Sequence, residues 1–192
     1  STDQSIVINI IDANDSAPIF TSLSSFTVIE NQLSIGTVST SDPEGDSITY
    51  SLSGTDAGSL SIGPSNGVLV FNTAPDYETK SSYSAVVTAS DGANSTDQSI
   101  SIIVIDLNDN SPVFTSPSTF TVEENQLSIG TAAVTDVDSD SITYSLSGTD
   151  AGSLSIGSTS GLLVFNTAPD YETKSSYLSL IHISEPTRQF AI

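Results

Sequence analysis

The chain repeats itself at an offset of 94 residues, and this constrains its fold more than any other feature. TDQSI at 2–6 recurs at 96–100, and NQLSIGT at 31–37 recurs at 125–131. DSITYSLSGTDAGSLSIG at 46–63 recurs at 140–157, and NTAPDYETKSSY at 72–83 recurs at 166–177. Over positions 23–83, 47 of 61 residues match their counterparts without a gap. Such a chain is a row of similar units, and its fold question reduces to the fold of one unit.

Within the first unit, short runs separated by turn signals predict strands. They are SFTVIE (25–30), GTVST (36–40), SITYSL (47–52), SLSIG (59–63), VLVFN (68–72), SYSAVVTAS (82–90) and SISIIVID (99–106). Alternation is clearest in SITYSL and SISIIVI, where one face is apolar. No helix-period segment competes. Ser, Thr, Asp, Gly, Val and Ile dominate, which suits strands more than helices. Seven short strands per unit predict an all-β fold of tandem immunoglobulin-like Greek-key sandwiches, the second one truncated. Residues 1–16 match 95–110, so they read as the last strand and linker of a preceding repeat. A complete unit then spans 17–110 and a truncated one 111–177, a window from a longer array.

The charge narrows the function. There are 23 acids against three Lys or Arg, a formal charge of −20. Nucleic acid is excluded as a partner, because its phosphates need a basic footprint. An anionic membrane surface is disfavoured for the same reason. No apolar run approaches the length of a membrane helix. Without cysteine there is neither disulfide nor thiolate metal site. Bound cations are the partners that such a surface accommodates.

The acids are also patterned. DLNDNSP at 106–112 places Asp106, Asn108, Asp109 and Asn110 between two apolar runs, and DANDSAP at 12–18 is its counterpart. Asp and Asn offer hard oxygen ligands, which Ca²⁺ collects six to eight at a time in irregular geometry. Zn²⁺ and Cu²⁺ prefer His or Cys. DVDSD at 136–140 does not continue as an EF-hand loop, since Ser141 and Ser147 stand where Gly and Glu are needed. Two N-x-S/T sequons, at Asn14 and Asn94, are not by themselves evidence of glycosylation.

DxNDNxP before an apolar strand resembles the inter-repeat linker of cadherin repeats. IENQ (29–32) and EENQ (123–126) look like that family's early Glu-Asn motif. DPEGD (42–46) and DVDSD (136–140) resemble its DxD loop, DYE (76–78, 170–172) its Asp-x-Glu motif, and SDG (90–92) its late DxG. The unit is shorter than in animal cadherins, which points to a bacterial cadherin-like repeat. The resemblance implies calcium held at each junction by both neighbours. Its ligands would be Glu30, Asp76 and Glu78 from the upper repeat. The linker would add Asp106, Asn108 and Asp109 by side chain, with Leu107 and Asn110 by carbonyl. The lower repeat would add Asp136 and Asp138, while Glu185 stands where the DxG Asp belongs. The earlier linker implies Asp12, Asn14, Asp15, Asp42 and Asp91, with Glu44 in place of the second DxD Asp and Ser16 in place of the second linker Asn. Glu124, Asp170 and Glu172 would face a third repeat.

After Tyr177 the internal match collapses: residues 178–192 share one of fifteen positions with 84–98. LSLIHISEPTR resembles the translated constant part of a transposase-based sequencing adapter, and Gln189 to Ile192 keep its reading frame. The segment therefore reads as non-native, and His182 and Arg188, the chain's one His and one Arg, carry no functional weight.

These features imply a calcium-binding, calcium-rigidified repeat segment of a large cell-surface or secreted adhesin. Its partners would be Ca²⁺, neighbouring repeats of the same chain, and a homophilic, glycan or protein ligand. Its place would be extracellular or at the cell surface, in a membrane-associated parent protein. The alternative is a carbohydrate- or protein-binding module of a secreted polysaccharide-degrading enzyme. That reading needs an exposed aromatic platform, and the chain has no Trp. No catalytic constellation is apparent, so an enzyme is not expected.

Overall fold

The computed structural model describes residues 2–11 and 13–186. The chain separates into two compact units, residues 1–106 and 107–192.

In the first unit the strands are β1 (Ile19–Phe20), β2 (Ser25–Ile29), β3 (Ser34–Thr37), β4 (Thr40–Ser41), β5 (Thr49–Ser53), β6 (Leu60–Ile62), β7 (Val68–Phe71), β8 (Ser82–Ser90) and β9 (Ser95–Ile105). They form a four-stranded sheet β2-β9-β8-β5, a three-stranded sheet β3-β7-β6, and a short pair β1-β4. All seven predicted strands are found, with shifted ends. GTVST divides between β3 and β4, and β9 begins at Ser95 rather than Ser99. The earlier start follows from the long antiparallel β8–β9 pairing, which runs from Ser82↔Ile103 to Ser90↔Ser95. β1 was not foreseen, because a two-residue strand carries no period to read. One 3₁₀ turn, Ala57–Ser59, precedes β6.

The alternation in SISIIVI becomes the core. Ile100, Ile102 and Val104 point inward and are 2 %, 0 % and 1 % exposed, while Ser101 and Ile103 face out. Val28, Ala85 and Val87 extend this face, and Leu60, Leu69 and Phe71 of the second sheet close on it. Fully burying a side chain of this size contributes about 1.5–3 kcal/mol, so β9 is the central stabilising strand. It is flanked by β2 in parallel (Ser25↔Ser101 to Ile29↔Ile105) and by β8 in antiparallel. Gly67 lets the turn before β7 lie close against the chain that follows β3. Its φ is +65°, and a Cβ there would sit 2.1 Å from the Val38 carbonyl oxygen.

The second unit contains β10 (Val113–Phe114), β11 (Ser128–Thr131), β12 (Val134–Thr135), β13 (Thr143–Ser147), β14 (Leu154–Ile156), β15 (Leu162–Phe165) and β16 (Leu180–Ser184). The three-stranded sheet is reproduced as β11-β15-β14, and the short pair as β10-β12. The larger sheet is not: only β13 and β16 pair. β16 lies in the divergent tail, yet it pairs with β13 in the register that β8 uses with β5. Thr143↔Ser184 repeats Thr49↔Ser90. The alternating LIHIS segment satisfies a strand's pattern whatever its origin. Residues 119–123, the counterparts of β2, form no strand. β2 owes its strand to β9, and residues 107–186 include no equivalent of β9 to pair with.

Residues 2–11 form no strand either, although they repeat the β9 sequence. Ile6, Val7, Ile8, Ile10 and Ile11 are largely exposed. Among the described residues no helix is long and apolar enough to cross a membrane.

Candidate metal-binding ends of the repeats

The strands of the first unit deliver acids to its C-terminal end by register. β2 and β9 run parallel with Ile29 opposite Ile105, so the next residues, Glu30 and Asp106, leave neighbouring strands side by side. Asn31 then turns the chain at φ 62°, and its amide donates to the Pro75 carbonyl at 2.9 Å, bringing the 75–78 loop against it. The Tyr77 amide donates to Glu30 Oε2 at 2.8 Å. Glu30 is 2 % exposed, far more buried than a carboxylate usually tolerates. Carboxylate oxygens of Glu30 and Glu78 lie within 4.8 Å of one another, and so do those of Glu78 and Asp106. Asp76 is anchored by the Thr79 hydroxyl (2.8 Å) and amide (3.3 Å). That hydroxyl bond is the main cause that holds the Asp76 carboxyl below the ordinary carboxylate value, so it is ionised at neutral pH.

The second unit repeats this end. Glu124, Asp170 and Glu172 bring oxygens within 4.8 Å of one another. The Tyr171 amide donates to Glu124 Oε2 (2.9 Å), and the Thr173 hydroxyl donates to Asp170 Oδ2 (2.6 Å) and lowers its pKa. The same bonds recur 94 residues on, because the second unit keeps both the Glu-Asn turn and the DYE loop.

The opposite, N-terminal ends are built from linker and DxD loop. In the second unit, Asp138 is 8 % exposed and organises the linker. Its Oδ2 accepts the amides of Asp109 (3.0 Å) and Asn110 (2.8 Å), and its Oδ1 accepts Asn110 Nδ2 (2.8 Å). Both carboxylate oxygens of Asp136 are buried and accept no hydrogen bond, as is Asp140 Oδ2. In the first unit, Ser16 Oγ donates to Glu44 Oε1 at 2.7 Å, and Asp42 Oδ1 accepts the amides of Glu44 and Asp46. Asp42 Oδ2 and Glu44 Oε2 are buried without a hydrogen-bond donor. Asp91 Oδ1 accepts the amides of Asn94 (2.6 Å) and Ala93 (2.7 Å), and the Asn94 amide is the main cause of its lowered pKa.

A buried carboxylate oxygen with no donor costs about 1–3 kcal/mol or more, and the two units present one at matching DxD positions, Asp42 and Asp136. A cation supplies the missing positive partner without needing a proton. The donor set consists of carboxylates, with amide oxygens nearby, which fits a hard cation such as Ca²⁺ and not a transition metal.

The sequence-derived ligands thus fall into groups within each unit. Glu30, Asp76, Glu78 and Asp106 lie at the C-terminal end of the first, and Asp42, Glu44 and Asp91 at its N-terminal end. Asp109, Asn110, Asp136 and Asp138 lie at the N-terminal end of the second. Asp12 lies outside the described residues. Asn14 Oδ1 accepts Asn94 Nδ2 at 3.0 Å, and Asp15 is exposed. Leu107 is half-buried, and Asn108 Nδ2 donates to the Pro186 carbonyl at 3.5 Å. Asn110 donates its backbone and side-chain N–H groups to Asp138, and its carbonyl oxygen takes no part in those bonds. Sequence reasoning missed Asn94 as a structural residue. Its Nδ2 also reaches the Asn14 and Ser16 carbonyls at 3.5 and 3.3 Å. The only signal available was its place in a short turn after SDG.

Fold and ends together define the chain's class: an immunoglobulin-like β-sandwich module, repeated in tandem, with carboxylates gathered at both ends of each copy. The family model for the cadherin domain matches residues 24–107. Cadherin-99C of Drosophila melanogaster is 36 % identical over 146 residues, covering 71 % of this chain and 8 % of its own length. Human Protocadherin Fat 4 is 34 % identical over 196 aligned positions, covering 92 % and 4 %. The crystal structure of mouse Cadherin-23 EC22-24 superposes with a TM-score of 0.71 at 28 % identity, covering 84 % of this chain and 57 % of that one. Residues 24–107 are a cadherin repeat, and the chain is similar to cadherins along most of its length. It spans under a tenth of the length of these curated relatives. Its family places it outside the cell or on the cell surface.

Proposed function

We propose that the chain is a calcium-rigidified stretch of an extracellular adhesion stalk. The observation that carries the reading is Asp136, whose two buried carboxylate oxygens have no hydrogen-bond donor, together with Asp42 at the equivalent place in the other unit. Glu30, Asp76, Glu78 and Asp106 end one repeat, and Leu107, Asn108, Asp109, Asn110, Asp136 and Asp138 begin the next. On this reading they share Ca²⁺. Asp12, Asn14, Asp15, Asp42, Glu44 and Asp91 play the second part for a repeat before the first unit. Glu124, Asp170 and Glu172 play the first part for a repeat after the second.

The mechanism is electrostatic. Without a cation, carboxylates of two repeats repel and the junction flexes. With Ca²⁺ bound, oxygens from both repeats coordinate the same ions and the rod stiffens. Extracellular modules bind Ca²⁺ with Kd of about 10⁻⁴–10⁻³ M, which confines the stiff state to calcium-rich surroundings. Near-identical units suit a spacer, because stalk length changes by whole units. A surface or secreted adhesin of bacterial type is the parent we favour, on the short 94-residue unit. Its ligand would be another copy, a glycan or a protein. We also propose that residues 178–192 are foreign, since they match the repeat at one of fifteen positions and resemble a translated adapter.

Calorimetric Ca²⁺ titration tests both. The chain is compared with a version whose tail is replaced by the repeat sequence SAVVTASDGANSTDQSISIIVIDLNDN. The replacement should bind more ions, more tightly, and melt higher. Absence of Ca²⁺ binding by either version would refute the calcium reading.

A further inference from the structure

Asn94 ends the loop that joins β8 to β9, and its carboxamide nitrogen lies where oxygens of two chain segments converge. Nδ2 is 3.0 Å from Asn14 Oδ1, 3.3 Å from the Ser16 carbonyl, 3.4 Å from Asp91 Oδ2 and 3.5 Å from the Asn14 carbonyl. Asn14 and Ser16 belong to the DANDSAP linker, and Asp91 to the SDG turn. A carboxamide has two protons to donate, so the four acceptors must share them. Ca²⁺ collects about six to eight oxygens and satisfies all four at once. The carboxamide is a weaker positive partner at a point suited to a cation, and the two cannot share it.

The loop itself does not need this side chain. Asp91 Oδ1 accepts the backbone amides of Ala93 and Asn94 at 2.7 and 2.6 Å. The Asp91 amide and the Ser90 hydroxyl both donate to the Asn94 carbonyl, at 3.2 and 3.0 Å. Asp91 Oδ2 is then the oxygen offered to either the carboxamide or an ion. The linker has a second tie to the same repeat through the Ser16 hydroxyl, which donates to Glu44 Oε1 at 2.7 Å.

We propose that Asn94 is a clamp that a cation replaces. Its carboxamide holds the linker on the repeat when Ca²⁺ is scarce, and Ca²⁺ must displace it to gather the Asn14, Ser16 and Asp91 oxygens. The exchange rests on the calcium reading of this end of the repeat, whereas the clamp itself does not. Clamped molecules do not take the ion, so the apparent affinity falls by the fraction that is unclamped. A clamp worth one net hydrogen bond, about 1 kcal/mol, raises the Kd about fivefold. Asn94 thereby sets the calcium level at which this end closes on an ion, and keeps the linker seated below that level.

Two-dimensional NMR of the full chain, titrated with Ca²⁺ from chelator, tests both parts. In chelator the Asn94 side-chain amide should resonate apart from free carboxamides, and Ca²⁺ should move it to the free position. The Asp15 and Ser16 backbone amides should be rigid on the nanosecond scale in chelator. Asn94→Ala keeps the loop's backbone bonds and should loosen Asp15 and Ser16 there. It should also lower the Ca²⁺ midpoint read at the Ala93 amide about fivefold, and leave the midpoint read at Asp109 and Asn110 unchanged. Asn94→Asp replaces the donor by an acceptor of the same shape. It should loosen the linker equally and lower the Ala93 midpoint further. Equal linker rigidity in the parent and Asn94→Ala overturns the clamp. Equal Ala93 midpoints in chains that do bind Ca²⁺ overturn the exchange and leave the calcium reading standing. If Ca²⁺ moves no amide in any of the three chains, the calcium reading fails and the exchange falls with it.

Discussion

Glu30 offers the sharpest test of the calcium reading, because charge and calcium act on it in opposite directions. It is buried, and its carboxylate lies within 4.8 Å of that of Glu78. At an effective dielectric of about 20, two such charges repel by roughly 3 kcal/mol. Glu30→Gln removes the charge and keeps shape and the acceptor for the Tyr77 amide. Exchanging a charge-assisted hydrogen bond for a neutral one returns about 1 kcal/mol of the gain. The net effect in chelator is a stabilisation of about 1–2 kcal/mol, or a Tm rise of about 5–10 °C for a domain this size. Calcium reverses the advantage. One ion at a hundredfold excess over its Kd stabilises the parent by about 2.7 kcal/mol, and the variant loses most of that. Calorimetric melts of parent and variant, each with chelator and with Ca²⁺, give the four numbers required. A variant that melts lower in chelator and keeps the full Ca²⁺ shift would refute the reasoning, since Glu30 would then be an ordinary structural acid.

Asp138→Ala removes three acceptor bonds that order Asp109 and Asn110. It should weaken Ca²⁺ binding about tenfold or more in calorimetry, the equivalent of losing 1.4 kcal/mol of ligand organisation. Gly67→Ala, with φ +65° and the Val38 carbonyl oxygen 2.1 Å from the new Cβ, should destabilise the first unit by at least about 1–3 kcal/mol in denaturant melts. Ile102→Ala, at a fully buried position of β9, should cost about 2–5 kcal/mol in the same assay. Asp56 is ion-paired with Lys80, whose side-chain hydrogen bond is the main cause of its lowered pKa. Its contribution is therefore present above the unfolded value of 3.8 and is lost as pH falls through the lower folded value. Melts of parent and Asp56→Asn should differ by a constant amount from neutral pH down to about 5 and converge below 3.8.

Much of the fold was legible because its signals are local. A strand's period is two, so SISIIVI alone places Ile100, Ile102 and Val104 on one face, and they are the core. The 94-residue offset transfers every such statement to the second unit. The acids were legible differently, through the resemblance of IENQ, DYE and DLNDNSP to cadherin motifs. Glu30 and Glu78 bring carboxylate oxygens within 4.8 Å of one another, and so do Glu124, Asp170 and Glu172 in the second unit.

Pairing was not legible, because a strand needs a neighbour and the sequence does not name it. The segments 25–29 and 119–123 are nearly the same, SFTVI and TFTVE, yet only the first is a strand. Residues 2–6 and 96–100 are identical, yet only the second lie in one. In each case the difference is whether a partner presents its backbone N–H and C=O groups alongside. The DxD acids show the same division. Their types and spacing were written in the chain, but only the fold showed that Asp136 and part of Asp42 are buried without a donor, because burial depends on what the rest of the chain packs over them. Sequence alone determined the unit, its inward faces and its ligand types. Tertiary structure decided which strands found partners, and so which faces are closed and which carboxylate oxygens are buried without a donor.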